Sequence, residues 1–284
     1  MLAAYSEFPW LCDHLARLEN PEYVAGALRG QMFAYFSPED FRGKRMLDFG
    51  CGIGASSIVM AQWLPETWIV GAELDPERVR IAKRIAEFKG VRNVSFEASP
   101  GPEELPGGIG EVDFIMMSAV YEHLLPQQRR ALMPLLWERL KPGGAIFINQ
   151  TPFRWFPYEH HSTRLWFINY LPDSLACYAA RHFSRRLARK GCSLTWADLL
   201  EGGIRGATER EILRNLTARS GVRGAILQPS KNGYRDRAAY WLAHTNPARF
   251  TQAKRAISEL FRLSDRLFGI VPSTNIDVVI QKPL

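Results

Sequence analysis

The chain has 284 residues, 46% of them hydrophobic, with a formal net charge of +7 and a pI of about 9.4. That length supplies a full core for one large domain or for one domain with additions. No apolar run approaches the ~18 residues needed to cross a bilayer, which excludes a spanning helix. The basic balance suits an anionic partner (nucleic acid, a phosphorylated substrate or a membrane surface) and does not choose among them.

The first residues carry Glu7, Asp13 and Glu19 and lack a basic-then-apolar leader pattern, so a cytoplasmic protein is expected. Cys12, Cys51, Cys177 and Cys192 are scattered without C-x-x-C spacing and read as reduced thiols with no structural zinc. Residues 8–35 predict two short helices, Pro9–Leu18 and Pro21–Tyr35. A strand over Arg45–Phe49 then runs into Gly50, Gly52 and Gly54, followed by a helix over Ala55–Leu64 that Pro65 stops. Glycines let the backbone turn sharply and approach a ligand. The free N–H groups of the helix start face the same point. This pattern predicts a nucleotide-type cofactor site.

A second strand, Trp68–Glu73, ends in Glu73-Leu74-Asp75-Pro76. An acid about 20 positions after such a loop accepts hydrogen bonds from ribose hydroxyls. Gly50, Gly52 and Ala55 also fit the dinucleotide pattern. The loop alone therefore leaves an NAD(P)-dependent oxidoreductase open, and also a strand–turn–helix without a ligand. Helices over Glu77–Lys89 and Gln127–Leu140 alternate with strands over Val94–Glu97, Phe114–Ser118 and Ala145–Gln150. Such alternation predicts a parallel sheet covered on both faces. Ligands then bind at the carboxyl ends of the strands, where the glycine loop, Glu73, Ser99 and Ser118 fall.

Residues 151–206 differ in composition. Thr151–Pro172 holds Phe153, Trp155, Phe156, Tyr158, Trp166, Phe167 and Tyr170, against an aromatic share of 12% for the whole chain. The segment reads as a lid and acceptor pocket, or as the private core of a small insertion. Arg181–Lys190 concentrates positive charge, either as a solvated helix face or as a site for phosphate or anionic lipid. Thr208–Ser220 predicts a helix with a capping box from Thr208 to Glu211. Gly221–Gln228 predicts a sixth strand and Thr274–Gln281 a last one. Between them, 232–272 reads as a helical insertion (Arg235–His244, Pro247–Phe268) for dimer contact or substrate, because the connection is long for a hairpin.

Asp48-Phe-Gly-Cys-Gly-Ile-Gly54, Val70-Gly-Ala-Glu-Leu-Asp-Pro76, Glu111–Leu124 and Leu140-Lys-Pro-Gly-Gly144 stand in order. Together they resemble the class I S-adenosylmethionine-dependent methyltransferase family over about residues 40–150. The resemblance implies an α/β, Rossmann-like, doubly wound fold. Its seven-stranded sheet would be mostly parallel with an antiparallel last strand, and would carry helical and aromatic insertions. It divides the chain into N-terminal helices over the cofactor (1–43), a cofactor-binding core (44–150), an aromatic insertion (151–206), the rest of the sheet (207–231 and 273–284) and the helical insertion (232–272). The cofactor implied is S-adenosyl-L-methionine, held by Asp48, Gly50, Cys51, Gly52, Gly54, Glu73, Leu74, Ser99 and Ser118. Where the family places an acid against the adenine amino group, this chain has Ala98-Ser99-Pro100-Gly101. Ser99 accepts there, or Glu103 reaches back.

Transfer to a hydroxyl needs a base or an electrostatic partner as its proton leaves. His123 follows the fourth strand, where an acceptor approaches in the family, and it also suits a structural role beside the cofactor. His160 and His161 lie in the aromatic segment beside Glu159, whose carboxylate would orient an imidazole. These three histidines are the candidate catalytic groups. No metal is expected, because adjacent histidines rarely point the same way. The expected activity is methyl transfer to a small-molecule or saccharide acceptor at oxygen, with RNA methylation as the alternative. Peripheral membrane contact and a homodimer are the further partners considered.

Overall fold

The computed structural model describes residues 19–187, 194–245 and 251–284. The predicted helix Pro9–Leu18 and the end of the basic run at Lys190 lie outside them. The strands are β1 (Arg45–Phe49), β2 (Trp68–Glu73), β3 (Val94–Ala98), β4 (Val112–Ser118), β5 (Leu140–Pro152), β6 (Ala225–Ile226) and β7 (Asn275–Gln281). They form one sheet in the order β3-β2-β1-β4-β5-β7-β6. β1 to β5 pair in parallel, while β7 is antiparallel to both β5 and β6. The fold is therefore the Rossmann-like, doubly wound α/β arrangement, with one reversed strand near its edge.

Alternation along the strands explains the two covered faces. Leu47, Val70, Ile115, Ile146 and Ile280 pair in register across the sheet and all face one core. Helices α4 (Pro126–Arg139) and α7 (Glu209–Leu216) cover that face through Leu132, Leu136, Trp137, Ile212 and Leu216. Met46, Ile69, Phe114, Met116 and Phe147 face the other way. Covering them are α1 (Pro21–Tyr35), α2 (Ala55–Trp63) and α8 (Arg237–His244). Helix α3 (Pro76–Phe88) lies over β3, packing Val79, Ala82 and Ala86 with Phe96. Two short helices, α5 (Asp173–Phe183) and α6 (Trp196–Glu201), form a satellite core around Ala176, Ala180 and Leu199. The sheet order diverges on either side of β1, so the carboxyl ends of β1 and β4 border a crevice.

The predicted turn Leu140–Gly144 is a bulge inside β5. Val112 pairs with Leu140 and Phe114 with Ala145, so the residues between loop out of the ladder. The sixth strand shrinks to Ala225–Ile226, which pair with Gln281 and Ile280 of β7, and Leu227 adds one further bond to Val279. The predicted capping box is half formed. Thr208 accepts from the Glu211 N–H at 3.1 Å, but the Glu211 carboxylate turns to Arg129 instead of back to the cap. In the C-terminal insertion, α9 (Thr251–Phe268) packs on α8 through Trp241 and Phe261 and leaves Leu260, Leu263, Leu267 and Phe268 exposed.

Arg237 on α8 ties this insertion to the sheet. Its guanidinium pairs with Glu209 of α7 and with Asp265 of α9 at 3.1 Å, all three side chains being buried. Burial pushes the Glu209 carboxyl upward against the pull of Arg237. Removing the cation leaves two buried carboxylates facing each other, at a cost of ~3–5 kcal/mol. Arg237→Ala is therefore expected to lose about that much in urea unfolding. Replacing Arg237, Glu209 and Asp265 together by Met, Gln and Asn is expected to recover most of the loss.

Candidate active site

Two adjoining cavities, of about 530 and 300 Å³, open at the carboxyl ends of β1, β2 and β4. Gly50, Glu73, Arg78, Ala119 and His123 line both, so they form one crevice. Gly50, Gly52 and Gly54 all have positive φ, at 76°, 57° and 80°. The tightest requirement is at Gly50, where an added Cβ would lie 2.6 Å from Val120 Cγ2. Glycine is needed there for the backbone angle and for the space. Gly54 lies at the N-cap of α2 and itself lines neither cavity.

Glu73 sits at the end of β2 and clamps the loop. Gly52 N–H donates to its Oε2 at 2.9 Å, while the N–H groups of Leu74 and Asp75 donate to Oε1 at 2.9 and 3.2 Å. Asp48 is buried and accepts from Ser57 Oγ in the first turn of α2. Cys51 is also buried, and burial together with Asp48 and Glu73 raises its thiol well above the usual range, so it stays protonated. Its sulfur fills a tight space, because a Cβ on Gly71 would come within 2.8 Å of it.

Leu74 and Ser99 line the larger cavity, and Ser118 and Cys51 the smaller. Ser99 N–H donates to the Glu73 carbonyl at 2.8 Å, fixing the end of β3 against β2. The acid that reaches this wall is Glu104, not Glu103. The Glu104 N–H bonds back to the Gly101 carbonyl at 3.2 Å, and this turn aims the Glu104 side chain over Gly101, while Glu103 is exposed and does not line the cavity.

The three histidines part company. His123 ends a short 3₁₀ turn, Tyr121–His123, and lines both cavities. His161 lies beside it, with ring centroids 5.3 Å apart. Burial, then the neighbouring His123, lowers its pKa to about 4, so it is neutral near pH 7. His160 points away, its Nε2 lying 3.1 Å from Asn275 Oδ1 on β7. Glu159 orients neither ring by hydrogen bonding. Its buried carboxylate accepts from the N–H groups of His161, Ser162 and Thr163 and so staples the loop backbone. None of the seven predicted aromatics lines the crevice. Backbone pairing of Tyr158 with Trp166 folds the segment on itself, and Trp155, Trp166, Phe167 and Tyr170 stack together on its exposed side.

Arg78, Gln128 and Glu201 belong to the site and carry no motif signal of their own, and Glu122, within the segment Glu111–Leu124, was not singled out by the sequence. Arg78, Gln128 and Glu201 line the crevice. Glu122 is fully buried behind His123, its Oε2 accepting from Thr151 Oγ1 at 3.0 Å. Desolvation raises its carboxyl above the ordinary range, opposed first by His123. Arg129 of α4 holds this whole turn. It donates to the Glu122, Leu124 and Gly206 carbonyls at 3.2, 2.8 and 3.0 Å, pairs with Glu211 at 2.8 Å and lies 4.6 Å over the Tyr121 ring.

Comparison with known proteins fits this geometry. Residues 46–144 match a family model described as a methyltransferase domain. The chain is 30% identical over 159 residues to a ubiquinone biosynthesis O-methyltransferase of Cereibacter sphaeroides, covering 49% of this chain and 59% of that one. It is 30% identical over 113 residues to the 23S rRNA (uracil(1939)-C(5))-methyltransferase RlmD of Shewanella amazonensis, covering 39% and 24%. The structure of PKMT2 from Rickettsia typhi aligns over 94% of this chain and 53% of that one at 15% identity, with a TM-score of 0.51, which bears on the fold alone. The chain thus spans less than two thirds of the length of these relatives. Over residues 46–144 it is thus similar to the methyltransferases, on a sheet of the class I S-adenosylmethionine-dependent kind, which weighs against the nicotinamide oxidoreductase reading.

Substitution of Gly50 separates strain from collision. Gly50→Ala is expected to lower thermal stability by ~1–3 kcal/mol and to weaken S-adenosylhomocysteine binding. Adding Val120→Ala removes the clash but not the left-handed strain. The double variant should therefore recover only part of both losses, read by calorimetric titration and thermal melts.

Proposed function

We propose that this protein transfers a methyl group from S-adenosylmethionine to an oxygen of a small-molecule or saccharide acceptor bound in the crevice. The observation that carries the reading is the Glu73 clamp. A carboxylate at the end of β2 faces the cavity while three N–H groups of loop and strand donate to it. A carboxylate offers about four acceptor sites, so it can also take a ribose hydroxyl. The left-handed glycine loop supplies a cradle that a side chain at Gly50 would fill, and Leu74 and Ser99 offer an apolar and a polar contact for the base. The residues present fit the cofactor.

When bound, the cofactor supplies an activated methyl on a positive sulfonium. The chain's own residues align the acceptor and exclude water. Val120, Leu124 and Leu132 give the crevice an apolar wall beyond His123, which suits a small acceptor. His123 borders the wall an acceptor would meet, and the contact of His160 with Asn275 supports leaving His160 out of the catalytic set. No described helix is long and apolar enough to cross a membrane, and we place the activity in the cytoplasm. The exposed apolar face of α9 is where a homodimer or membrane-surface contact would form. The basic charge and the likeness to an rRNA methyltransferase favour RNA as the second reading; activity falling steeply with salt would support it.

Calorimetric titration is expected to show binding of S-adenosylhomocysteine and none of NADH. Glu73→Ala should weaken that binding on the order of 10- to 100-fold, the range for loss of a charged hydrogen bond. Undiminished affinity would remove Glu73 as the ribose ligand. Labelled S-adenosylmethionine offered with fractionated metabolites, glycans and RNA is expected to mark the metabolite or glycan fraction; label in RNA alone would reverse the choice of acceptor.

A further inference from the structure

Glu122 and His123 come from the turn after β4, and His161 from the loop after β5. They bring one carboxylate oxygen and two imidazole nitrogens within 4.8 Å of one another. Each is oriented from behind. Glu122 Oε2 is held by Thr151 Oγ1 at 3.0 Å. His123 Nδ1 lies 2.6 Å from the Glu201 carbonyl, which can only accept, so the hydrogen sits on Nδ1 and Nε2 faces inward. Metal-binding histidines and carboxylates are typically fixed by partners of this kind.

The inward side has no hydrogen-bonded explanation. Glu122 Oε1 is buried without a hydrogen-bond partner. Its nearest cationic candidate is His123 Nε2 at 3.8 Å, too long for a hydrogen bond. Leaving a carboxylate oxygen buried and unpaired is costly. Bonds of ~2.0–2.2 Å to one ion place its donor atoms about 3–4 Å apart; the 3.8 Å between Glu122 Oε1 and His123 Nε2 falls in that range, and His161 brings a ring nitrogen within 4.8 Å of the other two ligand atoms. Gly203, with φ at 85°, closes the far side. A Cβ there would lie 2.8 Å from His161 Cδ2 and 3.2 Å from Glu122 Cγ, so the space beside the cluster exists only because that residue is glycine.

We propose that Glu122, His123 and His161 bind one divalent transition-metal ion of the zinc type, with an open coordination position toward the crevice for the acceptor's hydroxyl oxygen. Two imidazoles with one carboxylate suit zinc, cobalt, iron(II) or manganese. Magnesium and calcium prefer all-oxygen sets. His123 lines both cavities, so an ion on its Nε2 borders the space an acceptor would enter. An ion there withdraws charge from the bound hydroxyl and eases loss of its proton to water. The acceptor clause rests on the methyl-transfer reading; the ion site itself does not.

Protein stripped with EDTA and titrated with Co²⁺ is expected to develop visible absorption that saturates at one ion per chain and is discharged by Zn²⁺. The ion should also raise the melting temperature of the wild-type protein. Glu122→Gln and His161→Asn, close in shape to the originals, should each weaken Co²⁺ binding at least tenfold. S-adenosylhomocysteine affinity of the stripped protein should stay unchanged in both. Wild-type protein that takes up no Co²⁺ overturns the proposal without reference to any variant. So does an affinity that neither substitution lowers, which would place the ion elsewhere. Failure of S-adenosylhomocysteine to bind, with Co²⁺ still held by these residues, would remove the methyl-transfer reading and support the ion site alone.

Discussion

Glu73 carries the link between β1 and β2 beyond their last paired residues, Phe49 and Ala72, into the glycine loop. Its Oε2 takes the Gly52 N–H from the loop after β1, and its Oε1 takes N–H groups of its own chain after β2. The loop is thereby held in a left-handed path before any ligand arrives. That path is bounded by close neighbours, with Val120 against Gly50 and the Phe96 ring and Ala82 against Gly54. The cradle is therefore a packed object. Its shape follows from the core beneath it, and a ligand meets N–H groups whose ordering cost was met during folding.

Much of this half was readable because its signals are local. β1 and β2 keep their predicted bounds, since each is an apolar run ended by glycine or acid. Helices α3 and α4 begin one residue earlier than read, at Pro76 and Pro126, because proline is comfortable in a first helical turn. β6 shortened because strand length there depends on a partner, β7, from the end of the chain. Glu211 looked like a capping residue and became an ion-pair partner, since Arg129 offers a charge where the cap offers one N–H.

The half of the crevice around His123 was less legible for a physical reason. Its residues meet across β5, so Glu122, His123 and His161 show no spacing that a linear reading detects. What the sequence displays instead is the adjacent pair His160-His161 with Glu159, and the fold sends those side chains to three destinations: Asn275, the crevice and the loop's own backbone. Aromatic enrichment in Thr151–Pro172 is a feature of composition. Composition carries no direction: Trp155, Trp166, Phe167 and Tyr170 stack outward, while Phe153 packs into the core under the sheet.

The two halves are also built from different materials. The glycine-loop side is main chain, glycine turns and one carboxylate, set at the ends of β1 and β2. The opposite wall hangs on the guanidinium of Arg129, which gathers the carbonyls of Glu122, Leu124 and Gly206 from two separate loops. Such a wall can be recut by exchanging loops around one retained arginine while the glycine cradle stays intact. One scaffold can in this way carry crevices of different shape over an unchanged floor.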